Sequence, residues 1–413
     1  MSSTMKQDEA PTKPNIVFIL VDNVGWGDFG VYGGTTPTPC IDRLANEGIR
    51  LNNYNVECQC TPSRSAIMTA RMPVRSGTYT VPWPGQGASG LCPWEYTMAE
   101  LLSDAGYATA LYGKWHLGEI QGRMPNDQGF DEWWGILNSW DEAGYTSYPL
   151  FKKSGMEPPM IWEGKKGQKS APVMPLDLNV RPIVDEKYLI PKTIDFIKRQ
   201  SAAKKPFFVY LGYSEVHPPI IANPAFAGKS TSRGGTYSDI IGEMDYRVGQ
   251  VLDAIKEAGA DGNTIVVLTS DNGNGSSLVC GGVTGGSSGP WRGDFFNPPF
   301  EGSYRTAGMI RWPGKCLLGW LPTKCYARRT GCLRSPELSE RQTWCRKTGR
   351  LTASTPQRSC WARATRRAGM LLCSLVQTAS LCQSSGRCTR RSFATPKGLT
   401  SQSSNRNSRC STT

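Results

Sequence analysis

The fold class this sequence predicts is α/β: helices packed on both faces of a mainly parallel sheet. Two continuous apolar runs point to it first. Asn15-Ile-Val-Phe-Ile-Leu-Val-Asp22 and Thr264-Ile-Val-Val-Leu-Thr-Ser-Asp-Asn-Gly273 lack alternation, as strands buried on both faces do, and each ends in an acid followed by an amide. The second sign is helical spacing between them: Ile240, Ile241, Met244, Val248, Val251, Leu252 and Ile255 recur along 237–259 as one face of a long helix. Buried strands alternating with amphipathic helices make an α/β sheet, whose ligands sit at the carboxyl ends of the strands.

Composition divides the chain. The 413 residues carry a net charge of +13, which by itself suggests a nucleic-acid binder. From Cys316 to Thr413, however, there are 18 Lys and Arg against two acids, Glu337 and Glu340, whereas residues 1–315 are slightly acidic. Nine of the 14 cysteines also lie in that tail. The five in the body show neither a disulfide framework nor metal-ligand spacing. The expected division is therefore a polar segment over 1–14, a catalytic domain over 15–315, and a basic Cys/Ser/Arg-rich tail over 316–413. The tail lacks Asp and Ile and shows no convincing periodicity. It reads as a frameshifted, disordered translation of a lost C-terminal subdomain, and no nucleic acid is expected as a partner. The first apolar run is too short for a signal-peptide core, and no segment approaches the roughly 20 apolar residues of a membrane span, so a cytoplasmic chain with no membrane partner is expected.

In chain order, Asp22 and Asn23 close the first strand and offer two oxygen ligands to a hard divalent cation, or else a helix cap or Asx turn before Gly25. A short helix over 38–49 and a possible strand over 51–56 lead to Cys60-Thr-Pro-Ser-Arg64 and the apolar run after it. That stretch reads as a loop turning into a helix, with Pro62 in the first turn, where a missing N–H costs nothing. A helix N-terminus holds anions, and Arg64, one turn beyond Cys60, can return to the same anion. By residue type alone Cys60 is a nucleophile or a buried structural thiol.

Thr97-Met-Ala-Glu100 is a capping-box pattern opening a helix that runs to Gly106. A strand over 107–112 then delivers Gly113-Lys-Trp-His-Leu-Gly118. His116 and His217 are the chain's two histidines, and each follows a strand-like run. Residues 123–185, rich in Trp, Pro, Gly and Lys, read as inserted loops over the active face. There Trp133, Trp134 and Trp140 line an aryl pocket or, more simply, pack in the core. A helix over 190–202 precedes the run at 207–213. Asp271 and Asn272 make either a turn or the second half of an oxygen site, and 273–289 reads as a mobile glycine- and serine-rich loop.

Cys60-x-Pro-Ser-Arg64 resembles the signature of the type I sulfatases, and Gly113-Lys-Trp-His-Leu-Gly118 resembles a second signature of that family. Glu215-Val-His217 and Asp271-Asn-Gly273 resemble its later histidine and metal segments. The resemblance covers roughly residues 14–315. It implies the alkaline phosphatase-like three-layer architecture, with a C-terminal subdomain that the tail here does not match. It also implies hydrolysis of a sulfate ester, of aryl sulfate type, to an alcohol or phenol plus sulfate.

In that family the cysteine is oxidised to formylglycine, whose hydrate is the nucleophile, so a formylglycine-generating enzyme is the implied maturation partner of Cys60. One Ca²⁺ would be held by Asp22, Asn23, Asp271 and Asn272. Arg64 and Lys114 would stabilise sulfate charge, His217 would protonate the leaving group, and His116 would take a proton from the second hydroxyl. Three departures stand out. Asn23 replaces an acid. Ala70 replaces a common glycine. No lysine stands between Gly289 and Glu301, so Arg292, the nearest cation, is assigned to the substrate. Two other readings stay open: phosphate or phosphonate ester hydrolysis at a related metal site, and an inactive, truncated chain.

Overall fold

The computed structural model describes residues 13–213, 216–232, 234–275 and 286–313, the Lys152 side chain excepted. The tail over 316–413 and most of the glycine-rich loop therefore lie outside the described residues.

Among the described residues eleven strands form in chain order: β1 (Asn15–Val21), β2 (Ile49–Arg50), β3 (Tyr54–Asn55), β4 (Ala108–Lys114), β5 (Glu132–Ile136), β6 (Met160–Lys165), β7 (Ala171–Pro175), β8 (Phe207–Gly212), β9 (Thr264–Ser270), β10 (Arg305–Thr306) and β11 (Gly308–Arg311). Nine make one sheet in the order β2-β11-β9-β1-β8-β4-β5-β6-β7. Its centre, β9 to β5, is parallel throughout, and antiparallel strands extend both edges.

The helices are α1 (Pro39–Asn46), α2 (Cys60–Thr69), α3 (Pro73–Ser76), α4 (Met98–Asp104), α5 (Phe151–Ser154), α6 (Ile190–Ala202), α7 (Thr236–Glu257) and α8 (Glu301–Tyr304). Alternate residues of β1 divide between two cores. Val17, Ile19 and Val21 pack with α1, α6 and α7, and Ile16, Phe18 and Leu20 pack with Met68 of α2 and Met98, Ala99 and Leu102 of α4. That is why the run is apolar at every position, and it makes the domain three layers. The capping box of α4 forms as expected: Thr97 N–H donates to Glu100 Oε2 at 2.7 Å, and Glu100 N–H donates to Thr97 Oγ1 at 3.1 Å.

Two expectations are corrected. Residues 123–185 are not a set of inserted loops, because β5, β6 and β7 complete one side of the sheet. The alternation is weak there because β7 is an exposed edge strand, where Pro172 and Pro175 forfeit no ladder bond to a further neighbour. Trp133, Trp134 and Trp140 are buried within the two cores. Over 51–56 only Tyr54–Asn55 is strand, and it pairs with β10 in a separate ribbon. Among the described residues no helix is long and apolar enough to cross a membrane.

Candidate active site

The parallel registers bring the carboxyl ends of the central strands level. Val21 pairs with Ser270, Leu20 with Gly212, and Gly113 with Gly212. The next residues along β1 and β9, Asp22 and Asp271, thus emerge side by side, with Lys114 close to them at the end of β4. Gly113, at φ +108°, would place a Cβ 1.8 Å from the Gly212 carbonyl oxygen, so the strands approach here only because both residues are glycine. A Cβ on Gly212 would also stand 3.4 Å from Arg64 Nη1, in the space the arginine uses to reach the sheet.

Helix α2 begins at Cys60, with Gln59 as an extended N-cap and Pro62 in its first turn. One turn on, Arg64 shares Cys60's face, and both are buried. Arg64 ties the two acids together. Its Nη2 donates to Asp22 Oδ2 at 3.0 Å and to Asp271 Oδ2 at 2.8 Å, Nε donates to Asp271 Oδ2 at 3.0 Å, and Nη1 donates to the Lys114 carbonyl at 2.9 Å. Lys114 Nζ lies 2.7 Å from the same Asp22 Oδ2. Cys60 Sγ is 3.7 Å from Asp22 Oδ1.

The histidines differ in their surroundings. His217 Nδ1 is 2.8 Å from the Pro218 carbonyl, which can only accept, so Nδ1 carries the proton and Nε2 faces Ser139 Oγ at 3.0 Å. Lys114 Nζ donates to that same Ser139 hydroxyl at 3.2 Å. Ser139 joins Lys114 to His217 in this cluster, and sequence reasoning did not single it out. It belongs to no recognised motif, and only the Ser139-x-x-Glu142 cap of the following 3-10 helix marked its position. His116 is buried with φ +59°, and neither ring nitrogen has a hydrogen-bond partner among the described residues.

The charges follow from burial and neighbours. Burial favours the neutral form of Asp22, but Lys114, then His217 and Arg64, outweigh it and hold the carboxyl well below the usual range. Burial, and then the charge of Asp22, push Asp271 up. Burial followed by Asp22 and Asp271 push the Cys60 thiol well above its ordinary value, so this cysteine is not a ready thiolate. Burial, then Lys114, lower both imidazoles, His116 most strongly.

The oxygens at the strand ends suit a hard divalent cation. Two fully buried carboxylates and two fully buried amides meet there, and Asn272 Oδ1 has no hydrogen-bond partner, a lone pair left for a metal. The other amide oxygen, Asn23 Oδ1, accepts from Asn272 Nδ2 at 2.6 Å. Asp22, Cys60 and His217 also bring ligand atoms within 4.8 Å of one another. Arg292 stands differently: its guanidinium lies over the Phe300 ring, 4.1 Å from the centroid.

A sulfatase family model matches residues 14–317. N-acetylgalactosamine-6-sulfatase of Homo sapiens is 35% identical over 325 residues, covering 75% of this chain and 59% of that protein. Steryl-sulfatase of Rattus norvegicus is 34% identical over 370 residues, covering 74% and 63%. Among solved structures, the PsFucS1 sulfatase from Pseudoalteromonas sp. superposes with a TM-score of 0.69 at 34% identity, covering 75% of this chain and 64% of that one. The Ps i-CgsB structure in complex with k-i-k-neocarrahexaose gives 0.63 at 26%, covering 75% and 68%. The chain thus spans about 59% of the length of the N-acetylgalactosamine-6-sulfatases it matches. With the fold, the buried Cys60–Arg64 turn and the family match over 14–317 in agreement, this chain belongs to the sulfatase family.

Proposed function

We propose that this chain is built to hydrolyse sulfate esters at Cys60, releasing an alcohol or phenol and sulfate. The observation that carries the reading is the placement of Cys60 Sγ 3.7 Å from Asp22 Oδ1, in a buried cluster that also holds Arg64 and Lys114. A thiol pushed up by burial and two acids is a poor nucleophile at neutral pH. Oxidation of Cys60 to formylglycine by a generating enzyme replaces it with a hydrated aldehyde, which supplies the attacking hydroxyl. A Ca²⁺ ion held by Asp22, Asn23, Asp271 and Asn272 would polarise the sulfate oxygens.

The chain's own side chains do the rest. Arg64 and Lys114 place two fixed cations beside Cys60 and meet charge that develops on sulfate oxygen. Lys114 also holds the Ser139 hydroxyl, which contacts His217 Nε2, and with His217 neutral and protonated at Nδ1 the proton for the leaving oxygen is carried on the Lys114–Ser139 side of this chain, with Nε2 as its acceptor end. His116, neutral and without a hydrogen-bond partner among the described residues, is the base for the second hydroxyl at position 60. Arg292 is the cation available to the outer part of the substrate once it leaves the Phe300 ring. The names of the relatives, which include an N-acetylgalactosamine-6-sulfatase and a structure bound to neocarrahexaose, support a sugar sulfate as the physiological ester. Aryl sulfate serves as its chromogenic substitute.

Comparing turnover of an aryl sulfate with that of the matching aryl phosphate tests the reaction class. The sulfate is expected to be cleaved at least 100-fold faster, and Cys60→Ala is expected to abolish that turnover. Preference for the phosphate ester would overturn the proposal.

A further inference from the structure

Outside the Asp22–Cys60 cluster, Arg123 is a buried cation with no acidic partner among the described residues. Arg123 is 9% exposed. Its stem packs on Gly118, where a Cβ would stand 2.7 Å from Arg123 Cβ, and its carbonyl accepts from Trp115 Nε1 at 2.9 Å. Nη1 donates to the carbonyls of Leu91 at 2.9 Å, Gly90 at 3.0 Å and Ser89 at 3.4 Å. Among the described residues Nε and Nη2 have no hydrogen-bond partner, and neither nitrogen is among the sealed, unsatisfied atoms. The guanidinium therefore keeps three N–H groups for something else, and buried cations are ordinarily paired.

Those donors belong to a residue lining a polar cavity of about 200 Å³, together with Ser76, Thr80, Gln86, Ser89 and Cys92. Among the described residues no Asp or Glu lines it. Ser76 Oγ is occupied by the Ser65 and Thr78 hydroxyls at 3.2 and 2.8 Å. Among the described residues Thr80 Oγ1 and Gln86 Nε2 have no hydrogen-bond partner and Ser89 Oγ makes only contacts of 3.4 Å to Gln86, so three neutral donors line the cavity with the cation. The volume is below the roughly 300 Å³ at which sites for drug-sized ligands begin, and so suits a single small group. A guanidinium with free N–H groups and neutral hydroxyl and amide donors lining one small cavity, with no carboxylate among its described lining residues, suits a tetrahedral oxyanion.

We propose that this cavity is a second anion site that binds one sulfate group through Arg123 Nε and Nη2, with Thr80, Gln86 and Ser89 completing the donor set. Its ligand is either free sulfate or a second ester sulfate on a polysulfated chain; the chemistry at Arg123 is the same. The site is separate from the reaction at Cys60 and does not depend on it.

The test is calorimetric titration of the full-length chain with sodium sulfate in three backgrounds. In Lys114→Met, which removes a cation beside Cys60, sulfate binding at the second site persists. In Arg123→Gln and Thr80→Glu the same binding weakens at least tenfold. Thr80→Glu is the stricter variant, because Thr80 is exposed and the new carboxylate would neutralise Arg123 without touching the carbonyl bonds of Nη1. If Arg123→Gln does not fold, Thr80→Glu decides alone. Sulfate affinity within twofold of the parent in Thr80→Glu, with an unchanged melting profile, overturns the proposal. The source of the anion is read separately, with a disulfated and a monosulfated oligosaccharide of the same length. A tenfold rise in KM for the disulfated one alone in Thr80→Glu assigns the site to the substrate. Unchanged KM values together with lost sulfate binding assign it to free sulfate. Because binding is measured without turnover, failure here is distinct from failure of the sulfatase reading.

Discussion

Lys114 Nζ lies 2.7 Å from Asp22 Oδ2, and neither side chain has any exposed surface. Arg64 Nη2 reaches the same oxygen at 3.0 Å, so one carboxylate oxygen holds two cations inside the protein. This arrangement keeps Asp22 charged, and it fixes both cations beside Cys60 before any substrate arrives.

Removing one member of that group leaves the others buried with less compensation. Lys114→Met is expected to destabilise the fold by about 3 kcal/mol, the lower end for a broken buried pair. Urea unfolding followed by circular dichroism measures it. A midpoint equal to that of the parent would mean that the Asp22–Lys114 contact contributes nothing net.

Ser139 bridges Lys114 and His217 through one hydroxyl. Ser139→Ala removes a hydrogen bond to a charged donor, a class of contact that contributes about 1.5–3 kcal/mol. The expected loss in kcat is roughly 10- to 100-fold with KM little changed, because the bridge positions His217 rather than binding sulfate. Steady-state kinetics on aryl sulfate show the split. A rise in KM with kcat intact would assign Ser139 to binding instead.

Burial pushes Glu142 up to about 8 from an ordinary value of 4.5. A carboxyl raised in the folded state binds its proton more tightly there than in the unfolded chain. Its contribution is therefore fully present below about pH 4.5 and is lost as pH rises through about 8. Glu142→Gln keeps the capping box with Ser139 and removes the titration. The variant should gain stability relative to the parent between pH 5 and about pH 8, and the gain should level off above that. Melting curves across this range that stay parallel would refute the assignment.

Ala70 closes α2 with φ +53°, a left-handed conformation that an alanine adopts at a cost and a glycine does not. Ala70→Gly is expected to stabilise the domain by about 1 kcal/mol, read as a higher urea midpoint. The same departure from the family pattern was visible in the sequence, and the backbone now gives its physical cost. A lower midpoint would show that unfolded-state entropy outweighs the strain.

Much of the fold was legible because β1 and β9 are apolar at every position, which only burial on both faces explains, and because Thr97 and Glu100 carry their cap within four residues. The outer strands β6 and β7 were not legible: exposed residues and two prolines in β7 erase the period-2 signal. At the site, Cys60, Lys114 and His116 stood out through short motifs. The partners of Arg64 did not, since Asp22 and Asp271 lie 42 and 207 residues away from it, and only the sheet register brings them together. Ser139 was missed for the same reason: its role depends on His217, 78 residues later.

The central claim is that position 60 works as an aldehyde rather than a thiol, and mass spectrometry of the peptide spanning Cys60 tests it most directly when read against turnover of a chromogenic aryl sulfate by the same preparation. The account predicts that activity rises in proportion to the fraction of Cys60 converted to formylglycine. Full-rate cleavage by a preparation in which Cys60 is entirely unmodified thiol would contradict it.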